Sequence, residues 1–173
     1  MRLGSLGGIY KVPGRTSMKL LSGLLLLLGC VMNDSHAQVS AQRPRHRLAL
    51  ELLPDTLAIC RLPADAPLPT WSMGSSAFLT VSRTPSELSI TALQSTVPAD
   101  ARCERDYRAL RVRGTLSPNL VGILASIADP LAEAGVSIFA ISTFDTDYVL
   151  VKAHDVAAAS EALRRAGHQI TPK

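Results

Sequence analysis

The sequence predicts an α+β protein in which a short, strand-rich copy of a domain precedes a complete β-α-β-β-α-β unit. Two β-branched runs, residues 136–141 and 148–151, are separated by six polar or turn-forming positions and are typical of neighbouring antiparallel strands. Aliphatic residues at helical spacing precede this hairpin, and a second helical pattern follows it. The 173 residues are 47% hydrophobic but only 4% aromatic, which indicates one or two small domains with aliphatic cores.

The first half of the folded region shows strands but no amphipathic helix. Residues 57–62 form an apolar run that Pro54 and Pro63 bracket, and proline does not continue a strand ladder. Residues 78–83 and 87–93 are predicted as the next two strands, the latter half exposed because one face is polar. The intervening proline-rich stretch predicts a loop or a short helical turn, with Trp71 packed into the core.

An internal repeat relates the two halves. Residues 81–91 align without a gap on residues 141–151, so that Ser82 meets Ser142 and Glu87 meets Asp147. Identity is low, and chance similarity is the alternative. The shared order of strand, polar turn, acidic residue and strand favours a duplication.

The second half contains the complete unit. Residues 107–113 read as a strand, and Ser117 followed by Pro118 is typical of a helix start. One apolar stripe then follows at helical spacing: Leu120, Ile123, Leu124, Ile127 and Leu131. Pro130 is expected to kink this helix or to divide it after Ala128. A helix over 156–166 and a short strand over 168–171 complete a ferredoxin-like arrangement.

Both faces of the central hairpin are apolar. Strand side chains alternate across a sheet, so helices on one side would leave the other face in water. The sequence therefore predicts that a second copy of the domain, or a dimer, covers that face.

The first 37 residues resemble a secretory signal peptide. Lys19 precedes an apolar run, and Ser35-His36-Ala37 follows it as an A-x-A-like cleavage site. Lipidation at Cys30, a retained anchor and a wrongly assigned start codon are alternatives. The predicted organisation is a leader over 1–37, a linker over 38–47, a reduced domain over 48–104 and a complete domain over 105–173. The leader predicts export to the periplasm or medium; the alternative is a cytoplasmic protein with a wrongly assigned start.

The remaining cysteines leave two possibilities. Cys60 and Cys103 can pair only if folding brings their Cα atoms within about 7 Å. A buried free thiol is the expectation for Cys60, because cysteine within a strand is commonly buried and unpaired.

Composition and motifs argue against several function classes. The formal charge is +4 and the isoelectric point is near 9.3, but no nucleic-acid-binding motif accompanies the arginines. No nucleophile elbow, phosphate loop or zinc spacing is present, so we expect neither catalysis nor a cofactor. Asp145 and Asp147 are too few to form a calcium site, and the alternative to a binding role is that they only make the hairpin turn.

Residues 122–151, and above all I-S-T-F-D-T-D at 141–147, resemble the ACT domain family, specifically the tandem type related to the CASTOR arginine sensors. The resemblance covers roughly residues 48–170. It implies a ferredoxin-like tandem fold that binds a small effector, typically an amino acid, at a domain interface and regulates a partner. The stretch before the helix lacks the acidic residue of the sensor pattern, so arginine is not assumed to be the ligand.

The resemblance also implies a set of ligand-binding residues. They lie in the segment that leads into the first helix and in the central hairpin: Ser117, Asn119, Leu120, Val121, Gly122, Ile123, Ser142, Thr143, Phe144, Thr146 and Asp147. A helix start offers N–H groups to an α-carboxylate, and Asp147 can pair with an α-ammonium group.

The predicted function is thus a non-catalytic, regulatory protein that binds a small molecule, with an amino acid as the expected effector. The alternative is an ACT-like module that only builds an oligomer or contacts a protein partner. Expected partners are the effector and either a second copy or a regulated protein. Nucleic acid is not expected, and a membrane is expected only through an uncleaved or lipidated leader.

Overall fold

A computed structural model describes residues 46–73 and 78–172. The predicted leader and nearly all of the predicted linker lie outside these residues. The described chain forms seven strands and two α-helices: β1 (Ala49–Leu62), β2 (Leu79–Thr84), β3 (Glu87–Leu93), β4 (Cys103–Val112), α1 (Ile123–Glu133), β5 (Ile138–Ser142), β6 (Asp147–Lys152), α2 (Val156–Arg165) and β7 (Gln169–Pro172). Short 3₁₀ turns lie at Thr70–Ser72, Gln94–Thr96 and Ala153–Asp155.

The strands form one sheet in the order β2-β3-β1-β4-β6-β5, with antiparallel neighbours throughout. β7 runs parallel to the beginning of β1 and pairs with Ala49–Leu52. The end of β1, from Leu57, pairs with β3 instead. The α+β fold with a complete second unit and a helix-poor first copy is confirmed. Because β1 contributes to both halves, the division at residue 104 stays a prediction.

Both helices pack on one face of the second half. Their apolar stripes and the facing strand residues form a buried aliphatic core of Leu50, Leu110, Val112, Ile127, Leu131, Val136, Val149, Val151, Ala159 and Leu163. Burial of such side chains contributes about 1.5 to 3 kcal/mol each, so this core dominates the stability of the second half.

The opposite face of the hairpin is covered from within the chain. Leu150 and Ala109 pack with Leu53 and Leu57 of β1, and further apolar side chains of the first half close this core. Phe78 meets Tyr148 edge to face, with ring centroids 5.1 Å apart. The first copy therefore supplies the cover that the two apolar faces required.

The first half is covered on its outer side by a loop and a disulfide bond. Trp71 is partly buried and packs on the core of β1 and β3, as predicted. Cys60 and Cys103 face each other in the β1–β4 register and form a disulfide with an S–S distance of 2.03 Å. The prediction of a free thiol at Cys60 is wrong. β4 begins earlier than predicted, at Cys103, and so places that cysteine opposite Cys60. The prediction that the third strand, β3, is half exposed is also wrong. Even Thr91, on its polar face, is buried.

The two hairpins differ in the length of their turns. Thr84 pairs with Glu87, which leaves a two-residue turn, whereas Ser142 pairs with Asp147 across a four-residue turn. The ungapped repeat alignment is therefore wrong at this point: the second hairpin carries two additional turn residues.

α1 runs unbroken through Pro130, contrary to the expected division of the helix. Proline has no N–H for the carbonyl of Ser126, and His168 supplies the missing donor. Nδ1 of His168 accepts the Leu48 N–H at 3.2 Å, so Nε2 carries the hydrogen that it donates to the Ser126 carbonyl at 2.9 Å. A buried histidine immediately before β7 thus compensates for the proline.

Candidate functional site

Seven of the eleven predicted site residues line one cavity of about 240 Å³ beside the turn between β5 and β6. Ten residues from two segments line it: Leu116, Ser117, Pro118, Leu120, Ile123, Thr143, Phe144, Asp145, Thr146 and Asp147. The segment between β4 and α1 forms one wall, and the four-residue turn with the start of β6 forms the other. The additional turn residues of the second hairpin, Phe144 and Asp145, are therefore part of the cavity wall.

Two hydrogen bonds hold these walls against each other. The N–H of Leu116 donates to the carbonyl of Asp145 at 2.8 Å. The hydroxyl of Thr146 donates to the carbonyl of Val112, at the end of β4, at 2.7 Å, and this bond is buried. The hydroxyl hydrogen of Thr146 is therefore committed to the fold.

The turn is further fixed by Thr143. Both its N–H and its hydroxyl donate to the carbonyl of Thr146, at 2.9 and 2.8 Å. Such local bonds are typical of rigid turns built on threonine. The cavity wall is consequently preorganised before any ligand arrives.

Asp147 stands half-buried at the start of β6 with its carboxylate held in place. The hydroxyl of Ser142, its partner across the hairpin, donates to Oδ1 at 2.5 Å. Within the described residues no hydrogen bond engages Oδ2. Ser142 does not line the cavity but orients the carboxylate that does, leaving one oxygen for a ligand.

The helix begins five residues later than predicted. α1 starts at Ile123, and the residue before it, Gly122, has φ of 87°, a left-handed conformation that favours glycine. Ser117 instead opens a tight turn, in which its carbonyl accepts the N–H of Leu120 at 3.0 Å. The N-cap prediction for Ser117 is wrong because the glycine, rather than serine and proline, sets the boundary.

The first turn of α1 presents uncapped N–H groups at the cavity. The first helical bond runs from the N–H of Ser126 to the carbonyl of Gly122 at 2.9 Å, and no side chain caps the helix within the described chain. Ile123 lines the cavity and belongs to this uncapped turn. Helix starts of this kind favour anionic groups.

Some predicted residues lie beside the cavity rather than in its wall. Asn119, Val121 and Gly122 belong to the same segment, and Val121 is 72% exposed. Asp145, which the sequence marked only as a turn residue, does line the cavity.

His46 is a supporting residue that the sequence did not reveal. Its backbone N–H donates to Oγ of Ser126 at 3.0 Å, and its Nε2 lies 2.9 Å from the carbonyl of Val121. Oγ of Ser126 in turn donates to the carbonyl of Gly122 at 2.7 Å. The chain that leads into β1 therefore braces the helix start, across 75 sequence positions that give no local signal.

The cavity joins a negatively charged mouth to an apolar wall. Asp145 and Asp147 are its charged lining residues, and the described lining contains no lysine, arginine or histidine. Leu116, Leu120 and Ile123 supply aliphatic surface. Elsewhere in the described residues no cluster of three or more histidine, cysteine or carboxylate groups is arranged to hold a metal ion.

The second half of the chain matches a family model described as the ACT domain, over residues 102–165. A further model, described as the N-terminal domain of a family, matches residues 55–100. No curated protein sequence matches the chain.

Solved structures extend this comparison across both halves. A protein from Agobacterium tumefaciens is 32% identical, with a TM-score of 0.70; the match covers 74% of this chain and 95% of that one. A Vibrio cholerae protein of unknown function, described as a possible transport protein, is 21% identical with a TM-score of 0.57, covering 69% and 90%. An allosteric aspartate kinase from Clostridium acetobutylicum shares the fold at 11% identity, with a TM-score of 0.51, covering 65% and 33%.

The fold and the family match support, in general terms, a regulatory class of protein that binds small molecules. The chain belongs to the ACT domain family, with its two halves arranged as a tandem pair. In the described part of the chain, neither helix has the length and apolar character needed to cross a bilayer.

Proposed function

We propose that this protein is a non-catalytic sensor that binds a free amino acid in the cavity between the α1 start and the β5–β6 turn. The observation that carries this proposal is the convergence of a fixed carboxylate and an uncapped helix start on one cavity of about 240 Å³. Small-ligand pockets commonly measure about 300 to 1,000 Å³ for drug-sized molecules. The smaller volume suits a ligand of amino-acid size.

The two polar ends of the cavity match the two charges of a zwitterion. The N–H groups at the start of α1 can receive the α-carboxylate. Asp147 offers an oxygen to the α-ammonium group in a charge-assisted hydrogen bond. Because Ser142 and Thr143 already hold the mouth in position, binding requires little ordering of side chains.

We further propose that the protein acts outside the cytoplasm. The predicted leader supports this location, and so does the Cys60–Cys103 disulfide, because such bonds persist mainly in oxidising compartments. N-terminal sequencing of the native protein tests it: a chain that begins at Gln38 supports export, and one that retains its leader in the cytoplasm contradicts it.

Thermal denaturation in the presence of each of the twenty amino acids tests the sensing proposal. We expect at least one amino acid to raise the Tm, and we expect Asp147→Asn to weaken its affinity about tenfold or more, as loss of a charged hydrogen bond predicts. Asp65→Asn is the matched control, because Asp65 is exposed in the loop after β1. If no amino acid shifts the Tm, or if both variants respond like the parent, the proposal fails.

An assembly role is the second candidate, favoured by the exposed edge of the sheet. β5 is an edge strand, and Phe139 on it is 37% exposed. Ile138 packs against the helix-covered core, so charging it would damage the fold rather than an interface. Light scattering on Phe139→Glu therefore tests this role: a smaller mass than that of the parent supports it, and an unchanged mass contradicts it.

A further inference from the structure

The lining of the cavity constrains the side chain of the ligand, beyond the zwitterion that the proposed function requires. Asp147 and the start of α1 account for the ammonium and carboxylate groups. The remaining wall consists mainly of aliphatic surface from Leu116, Pro118, Leu120 and Ile123. Contact with such a surface favours a ligand side chain that is itself apolar, by about 25 cal/mol for each Å² removed from water.

The charges of the cavity disfavour an acidic side chain. Asp145 and Asp147 line the cavity, and no cationic side chain accompanies them among the described lining residues. A second carboxylate on the ligand would face like charges without a counter-ion, whereas the α-carboxylate has the helix start. Aspartate and glutamate are therefore disfavoured, because the described lining offers their second carboxylate no cationic partner.

A basic side chain is the closer competitor, because Asp145 could pair with it. Asp145 is exposed. Its backbone carbonyl accepts a hydrogen bond from the N–H of Leu116. An ion pair with an exposed carboxylate contributes little, since water and salt screen it. Contact with Leu120, which is 46% exposed, favours an aliphatic ligand instead.

Phe144 provides a second apolar contact at the rim. It lies on the turn with 92% of its surface exposed, which is unusual for a phenylalanine. Leu120, on the opposite wall, is 46% exposed. An aliphatic ligand between these two side chains would remove apolar surface from water on both.

We infer that the cavity selects an amino acid with a neutral aliphatic side chain, of the valine or leucine type, and rejects acidic ones. This inference rests on the proposed function, because it assigns a specificity to the same cavity.

Calorimetric titration of the full protein with L-leucine, L-valine, L-arginine and L-glutamate tests the specificity. We expect leucine or valine to bind and glutamate to give no measurable heat. Two analogues test the anchoring groups: 4-methylpentanoate lacks the ammonium of leucine, and 3-methylbutylamine lacks its carboxylate. We expect both analogues to bind at least tenfold more weakly than leucine.

A pair of variants tests whether the aliphatic wall is responsible. Leu120→Asn should weaken leucine binding about tenfold, which is the scale of a single methylene contact in a hydrophobic pocket. Leu124→Asn is the matched control, because Leu124 is also partly exposed, at 37%, but does not line the cavity.

The outcomes separate this inference from the proposed function. Tighter binding of arginine or glutamate than of leucine, with loss in Asp147→Asn, overturns the aliphatic specificity while the sensor role stands. Equal leucine binding by Leu120→Asn and the parent also overturns it. Failure of all twenty amino acids to bind overturns both.

Discussion

The two β-hairpins of this chain have similar strands but opposite surroundings at their turns. In the first hairpin, the guanidinium of Arg83 donates to the carbonyls of Ala64 and Ala66, the latter at 2.8 Å, and Arg61 pairs with Glu87 at 2.9 Å. The chain's own arginines therefore fill the space beside the short turn. In the second hairpin, two additional turn residues leave an open cavity. The comparison indicates that the longer turn, rather than the strands, forms the cavity in the second half.

The halves also differ in how their outer faces are covered. Two helices bury the aliphatic core of the second half, whereas a proline-rich loop with Trp71 and a disulfide cover the first. A loop buries less apolar area than a pair of helices, so a covalent link is a physically reasonable substitute. Stability in the first half should therefore depend on oxidation, and stability in the second should not.

Of the changes considered, loss of the disulfide should lower the free energy of unfolding the most, and it should act mainly on the first half. Cys60 and Cys103 are 43 positions apart, and closing a loop of that length stabilises a fold by about 4 kcal/mol in the chain-entropy model. We expect reduction, or the double variant Cys60→Ala with Cys103→Ala, to lower the free energy of unfolding by about 3 to 4 kcal/mol. Urea denaturation of the oxidised, reduced and double-variant proteins measures it.

Hydrogen exchange locates that effect. Amides of β3 should lose more protection than those of α1 when the disulfide is removed. Equal loss in both elements would contradict the contrast between the halves, and unchanged urea midpoints would contradict the contribution of the disulfide itself.

The stability of the second half also depends on a hydrogen bond from outside α1, which His168 makes near Pro130. His168→Leu should lower the free energy of unfolding by about 2 kcal/mol, because it removes the hydrogen bonds that His168 makes with the Ser126 carbonyl and the Leu48 N–H. In a Pro130→Ala background, residue 130 regains an N–H that can donate to Ser126. The cost of His168→Leu should then fall by about 1 kcal/mol.

A double-mutant cycle by urea denaturation measures this coupling between Pro130 and His168. Additive effects would show that the histidine does not compensate for the proline. Ser160→Ala serves as a control on the other helix, and it should add independently to either change.

The sequence predicted what depends on local pattern. Alternation and β-branching located β2, β3, β5 and β6 to within a residue or two, and the motif at 141–147 located one wall of the cavity. The helix start was misplaced because Ser117-Pro118 satisfies the local rules for a cap, while the left-handed Gly122 sets the boundary. Sequence rules for helix starts recognise both positions but do not decide which of them begins the helix.

Pairings over long distances were beyond the sequence. The disulfide, the bond from His46 to Val121 and the bond from His168 to Ser126 join positions 42 to 75 residues apart. Each follows from the assembled sheet, in which β1 pairs with β4 along its length and with β7 at its start, and not from any local pattern. For the same reason the two-residue difference between the turns became visible only through the strand registers.

The smallest expected effect concerns the place where the halves join, at the irregular start of β4. Nζ of Lys152, on β6, donates to the carbonyl of Arg105 at 2.8 Å and to Glu104 at 3.1 Å, and lies 4.2 Å from the centre of the Tyr107 ring. Burial lowers the pKa of Lys152, but the hydrogen bond to Glu104 and the attraction of Tyr107 and Glu104 together outweigh it, and the net pKa is above its ordinary value of 10.5.

A pKa raised by folding means that charged Lys152 stabilises the fold fully below about pH 10.5, and that this contribution disappears as the pH rises through the folded-state pKa. Glu104 is largely exposed, so we expect a loss of less than about 1 kcal/mol. Urea midpoints of the parent and of Lys152→Met, compared at pH 9 and pH 11, measure it. The stability difference between the two proteins should shrink at the higher pH. A difference that stays constant or grows would mean that the charge of Lys152 does not hold the two halves together at this joint.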